Sequence, residues 1–137
     1  MKSFSKIEPL SNFEIIKKCK ELKIKNFKGV YMRDELKGKS SKNECFILNH
    51  DTSDNGGTHW TALFIKNGVS CYFDSFGFDP PLEIISYCKG SERYCSTSKI
   101  QEPDEVICGH YCIFMLYRLS NVSKFFDVLD ELYKYNH

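Results

Sequence analysis

"HWTALFIKNGVSCYFDSF", residues 59–76, reads as two strands folded back on a single turn. Asn67 and Gly68 stand between "HWTALFIK" and "VSCYFDSF". Both residue types tolerate a positive φ, which a two-residue hairpin turn demands. The hairpin carries His59 at the start of one strand and Asp74 near the end of its partner. Those ends are neighbours in an antiparallel pair, so the sequence predicts a histidine facing a carboxylate.

Working outward, "CFILN" (45–49) is a further short apolar run. "KGVYMRDEL" (28–36) reads as a short strand or turn, and "LKGKSSKNE" (36–44) as a polar loop. Ser11 followed by Glu14 forms a capping box, and Phe13, Ile15, Ile16, Cys19 and Leu22 follow helical spacing. These predict a helix over 12–22, behind a loose lead-in at 1–10. On the other side, Pro80 and Pro81 open a helix at "PLEIISYCK", because proline suits a first helical turn. "STSKIQ" (96–101) reads as a short strand. "CGHYCIFMLYRL" (108–119) is helical and almost wholly apolar, so it should be central and buried. "SKFFDVLDELYKY" (123–135) is an amphipathic helix that covers the outside. The predicted class is α+β, an antiparallel-rich sheet packed on a buried helix, in one domain over 11–137.

Four residues in chain order suit one chemistry: His59, Asp74, Gln101 and Cys108. A thiol attacks only as thiolate, and a helix N-terminus lowers its pKa through orphan N–H groups and the macrodipole. Cys108 falls where such a terminus is expected. Gly109 lets the backbone approach a substrate closely. A histidine can take the thiol proton, and a carboxylate can fix that histidine's tautomer. The Cys108 N–H and the Gln101 amide can bind an oxyanion. Each residue also has a plainer reading. Cys108 could be inert core, His59 a strand-end surface residue, Asp74 a turn former and Gln101 a polar strand residue. Their joint order favours thiol-dependent peptide cleavage. His110 and Cys112, like His50 and Cys45, raise the thought of zinc. Side chains at 108, 110 and 112 point in different directions on a helix, and no paired CxxC exists, so no metal is expected.

The chain has 137 residues, of which 42% are hydrophobic and 15% aromatic, enough for one core. No apolar run is long enough for a membrane span, and "MKSFSKIEPL" lacks the apolar stretch of a signal peptide. Seven cysteines without such a signal imply a reducing compartment and free thiols. The net charge is +1, but residues 1–42 hold 12 Lys/Arg against 5 Asp/Glu, a local balance of +7. A solvated lysine-rich face explains this, and so does a surface for DNA or an acidic partner.

"GGTHW", "YFDSFGF", and a glutamine followed seven residues on by "CGHYC" resemble the adenovirus-type (adenain-like) maturation proteases. With "IKNFKGVYMRDEL", they look closest to the proteases of Polinton/Maverick elements and virophages. The wider kin are the deconjugases of SUMO-like modifiers. The resemblance implies a papain-like, adenain-like fold. It makes His59 the base, Asp74 its orienting acid, Gln101 an oxyanion donor and Cys108 the nucleophile. It sets Trp60 in the substrate cleft. It also implies precursor capsid or core proteins as substrates, with cleavage after small residues such as glycine. No cofactor is required, though DNA or an activating peptide can stimulate such enzymes, and the basic N-terminal third could bind DNA non-specifically. A monomer with no membrane partner is expected, in host cytoplasm or nucleus and packaged in the virion. Two departures stand out. The chain is shorter than the adenovirus enzymes, and Ile107 occupies a position where deconjugases usually carry Asp. Two other functions fit the same residues: a deconjugase of ubiquitin-like modifiers, and a domesticated, inactive binding module.

Overall fold

The computed structural model describes residues 10–49, 59–90, 92–96, 99–100 and 107–136. The chain opens with α1 (Asn12–Glu21). Ser11 Oγ accepts the Glu14 N–H at 3.2 Å, and the Glu14 carboxylate accepts the Ser11 N–H at 3.0 Å, so the predicted capping box forms. Strand β1 (Phe27–Met32) runs into a short 3₁₀ turn at Arg33–Glu35, and β2 (Glu44–Asn49) follows. Strands β3 (Trp60–Lys66) and β4 (Val69–Phe73) form the hairpin. Asn67 and Gly68 have φ of 52° and 79°, the two positive values a type I′ turn requires. Helix α2 (Leu82–Tyr87), β5 (Glu92–Cys95), α3 (Cys108–Ser120) and α4 (Phe125–Asn136) complete the order. Pro81 stands at the cap just before α2.

The five strands lie in chain order, β1-β2-β3-β4-β5. The central pairs β2/β3 and β3/β4 are antiparallel, and the two edge pairs are parallel. A parallel neighbour needs a crossover. Helix α2 supplies one between β4 and β5. The polar loop supplies the other between β1 and β2, as expected of its sequence.

One expectation is corrected. The last strand is Glu92–Cys95, not "STSKIQ". Strand β5 pairs with Val69–Tyr72 and stops where β4 itself ends. Beyond it the Ser96 side chain turns to the backbone of Asp74, and Lys99 and Ile100 lie outside any strand. Thr97, Ser98 and Gln101 fall outside the described residues.

Both faces of the sheet are covered. Cys45 and Ile47 of β2 join Ala62, Phe73, Ile15, Cys19, Cys112, Met115 and Leu116 on one side. Phe46 and Leu48 join Leu63, Ile65, Tyr72, Ile84 and Cys88 on the other. Strand β2 is thus buried throughout, which explains its unbroken apolar run. Helix α3 packs between the sheet, α1 and α4 and buries most of its circumference, leaving His110, Phe114, Tyr117 and Arg118 on its less buried face. Among the described residues no helix is long and apolar enough to cross a membrane.

Candidate active site

Three element ends meet at one place. His59 immediately precedes β3, Asp74 immediately follows β4, and Cys108 is the first residue of α3. His59 Nε2 lies 2.7 Å from Asp74 Oδ1. The two are not directly opposite, however. The ladder pairs Ala62 with Phe73, so continuing it sets Asp74 beside Thr61 and His59 two positions further along. They meet on the diagonal of one sheet face, a contact within reach of long side chains.

Asp74 is fully buried and held from several sides. Its Oδ1 also accepts the Phe76 N–H at 2.8 Å. Its own N–H donates to Ser96 Oγ at 2.8 Å, and that hydroxyl donates back to the Asp74 carbonyl at 3.1 Å. The Gly77 N–H reaches the same carbonyl at 2.9 Å. A carboxylate so fixed can orient an imidazole without moving itself.

With Nε2 committed to Asp74, the ring nitrogen left for the thiol is Nδ1. His59 interacts electrostatically with Cys108, and the Trp60 N–H donates to Cys108 Sγ at 3.4 Å. Burial pushes the Cys108 thiol up. Hydrogen bonds from His59 and from the Trp60 and Gly109 backbone outweigh it and hold the thiol below its ordinary value. Burial also works against charge on His59, yet its bonds to Asp74 and Cys108 raise it to about 9. Both shifts favour a thiolate–imidazolium pair. The N-terminus of α3 acts in the same sense: Ile107 offers no side-chain cap, and the positive end of the helix dipole lies at the sulfur.

Cys112, Cys19 and Cys45 show the opposite behaviour. All are fully buried, and burial pushes Cys19 and Cys45 to about 12 and Cys112 well above its ordinary value. These are core thiols. His110 lies in the groove between α1 and α3, with burial lowering its pKa.

Trp60 and Gly109 form a packed pair. A Cβ on Gly109 would meet Trp60 Cδ1 at 3.2 Å and the side chains of Ile15 and Leu10 at 3.5 Å. The indole Nε1 donates to the Leu10 carbonyl at 3.2 Å. The missing side chain of Gly109 therefore lets Trp60 seat against the start of α3, next to Cys108. Gln101 lies outside the described residues. Its neighbour Ile100 is buried and donates its N–H to the Ser75 carbonyl at 2.7 Å, beside Asp74.

Phe76, Ser96 and Leu10 take part without having been singled out from the sequence. The Phe76 ring stacks on His59 with centroids 3.9 Å apart and planes 6° apart. The "DSFGF" run contained that signal, since continuing the hairpin register sets Phe76 across from His59. Nothing local marked Ser96.

No family model matches the chain. It is 30% identical over 117 residues to the SUMO-1 cysteine protease of African swine fever virus, covering 69% of this chain and 43% of that protein. It is 31% identical over 114 residues to the protease of Bovine adenovirus 2, covering 71% of this chain and 52% of that protein. The chain therefore spans about half the length of these curated relatives. The crystal structure of the African swine fever virus protease superposes with a TM-score of 0.68 at 18% identity, over 93% of this chain and 66% of that one. The SUMO protease Ulp1 with its catalytic cysteine oxidised gives 0.57 at 13% identity, over 95% and 76%. The fold is that of the papain-like, adenain-like cysteine proteases. The African swine fever virus and adenovirus proteases are homologues of this chain.

Proposed function

We propose that the chain is a cysteine endopeptidase that cleaves precursor capsid or core proteins of a DNA virus or virus-like element, after small residues such as glycine. The observation that carries the chemistry is the meeting of His59, Asp74 and Cys108 at the start of α3. The Cys108 thiolate attacks the scissile carbonyl carbon and forms a tetrahedral oxyanion. The N–H of Cys108 and the Gln101 side chain bind that oxygen, a role Gln101 takes from the resemblance. As the intermediate collapses, the C–N bond breaks and imidazolium His59 gives its proton to the departing amine. An acyl-enzyme thioester remains. Neutral His59 then takes a proton from water, the hydroxide attacks the thioester, and the thiolate is released with the carboxylic acid product.

The substrate class rests on the viral homologues. The excess positive charge of residues 1–42 supports non-specific DNA binding as an accessory property: Lys17, Lys18 and Lys20 are exposed on α1. Such binding would weaken steeply with salt. The second reading, a deconjugase of ubiquitin-like modifiers, draws on the Ulp1 fold and on the name of the African swine fever virus relative. Labelling with a thiol-reactive peptide ending in Gly-Gly, followed by mass spectrometry, tests the first reading. Modification confined to Cys108 is expected, and modification elsewhere or none would defeat it. Faster turnover of a modifier fusion than of capsid-type peptides would select the deconjugase.

A further inference from the structure

Phe76 touches both members of the base–acid pair. Its ring lies flat on the His59 imidazole, 3.9 Å away and 6° from parallel. Its backbone N–H donates to Asp74 Oδ1 at 2.8 Å, the oxygen that also meets His59 Nε2 at 2.7 Å. The residue is not free to drift, because the Gly77 N–H to Asp74 carbonyl bond of 2.9 Å closes the turn that holds it. Phe78 meets the same ring in a T-shaped contact, with centroids 5.7 Å apart.

His59 needs such a support. Its two ring nitrogens serve two partners, Asp74 and Cys108, so a modest rotation about the terminal torsion spoils both contacts together. That torsion is intrinsically broad in histidine. A flat surface against the ring restricts it, whereas an aliphatic side chain of similar volume would fill the space without defining a plane.

We propose that Phe76 is a positioning residue for His59, its ring fixing the imidazole plane so that one nitrogen meets Asp74 while the other meets Cys108. A second effect has the same direction. The face of a phenyl ring is electron-rich and favours a cation lying on it, hence the imidazolium form. This agrees with the raised pKa of His59, about 9, alongside the larger contributions of Asp74 and Cys108.

The inference rests on the cysteine-protease reading only for its activity readout, so the test uses two others as well. In the unaltered chain, NMR should find the His59 ring protons shifted upfield by the ring current of Phe76. Phe76→Met and Phe76→Tyr are then compared for Cys108 alkylation by iodoacetamide across pH, and for kcat and KM on a cleaved peptide. Phe76→Tyr should match wild type. Phe76→Met should lose about 10-fold or more in Cys108 alkylation near neutral pH, the scale expected of a misplaced reacting group. The acid limb of its alkylation profile should move to higher pH, and kcat should fall while KM holds. An unchanged pH profile in Phe76→Met overturns the proposal. So does the absence of the upfield shift, which decides the matter even if the methionine variant fails to fold. A chain that cleaves no peptide yet shows the shift and the altered alkylation would defeat the endopeptidase reading and leave the clamp standing.

Discussion

Cys108 and Cys112 lie one turn apart on α3, and burial raises both thiols, but only Cys108 has hydrogen-bond donors that reverse the effect. Iodoacetamide at neutral pH should therefore modify Cys108 and spare Cys112 in the folded chain. Cys108→Ala should abolish cleavage with little loss of stability, because it trims a helix-end thiol. Cys112→Ala should retain most activity and lose roughly 1–2 kcal/mol, as its fully buried sulfur leaves a small void. Peptide turnover and urea melts of the two variants check this pair of outcomes.

The same ion pair sets a pH signature. His59 ordinarily titrates at 6.5 and is raised to about 9, so its protonation stabilises the fold fully below 6.5 and less as pH rises through about 9. Cys108 is lowered from 9.0, so its ionisation contributes fully above that value and less as pH falls through its depressed folded value. Where Cys108 is ionised, the two slopes oppose each other between 6.5 and 9. Wild-type stability should be nearly flat there with respect to this pair. Removing the thiol unmasks the histidine, so Cys108→Ala should lose stability as pH rises from 6.5. Cleavage by the wild type should decline on an alkaline limb near 9. Thermal melts across pH, beside a pH–rate profile, would contradict this if the variant and wild type ran parallel.

Ser96 is the support of Asp74's backbone. Its buried hydroxyl both accepts from the Asp74 N–H and donates to the Asp74 carbonyl. Ser96→Ala leaves that N–H without its acceptor and should cost about 1–3 kcal/mol. Residual cleavage should survive, since the Phe76 N–H still holds the carboxylate. A stability change below the error of a urea melt would show that the hydroxyl is dispensable.

Gly109→Ala sets a helix-propensity gain of about 1 kcal/mol against a collision with Trp60. The methyl would stand 3.2 Å from Trp60 Cδ1, and the indole is tethered to the Leu10 carbonyl. The collision should win, lowering both Tm and kcat. Trp60→Phe in the same chain should recover part of the Tm, and a simple additive loss in the double variant would rule out the contact.

Much of this arrangement was legible in the residues. Asn67-Gly68 announced the hairpin because only such residues take two positive φ values in succession. The apolar run from Cys108 announced a central, largely buried helix, and the capping box announced α1. What stayed hidden depended on distant pairing. The place of β5 follows from how much of β4's edge is available, which "ERYC" and "STSKIQ" do not encode. The diagonal offset of His59 and Asp74, the stacking of Phe76 and the grip of Ser96 all arise from register and from a turn beyond the strand end. Trp60's seat on Gly109 needed the meeting of α3 and β3.

The hairpin that joins His59 to Asp74 also orders events in time. His59 and Asp74 are 15 residues apart, whereas Trp60 and Cys108 are 48 apart. Closing the longer loop costs about 1 kcal/mol more chain entropy, and synthesis delivers it later. A nascent chain can thus complete its His59–Asp74 arm while Cys108 is still undocked, or still inside the ribosome. On the proposed function, peptide-bond chemistry becomes available only as α3 settles onto the sheet, so chain growth itself would delay the onset of proteolysis.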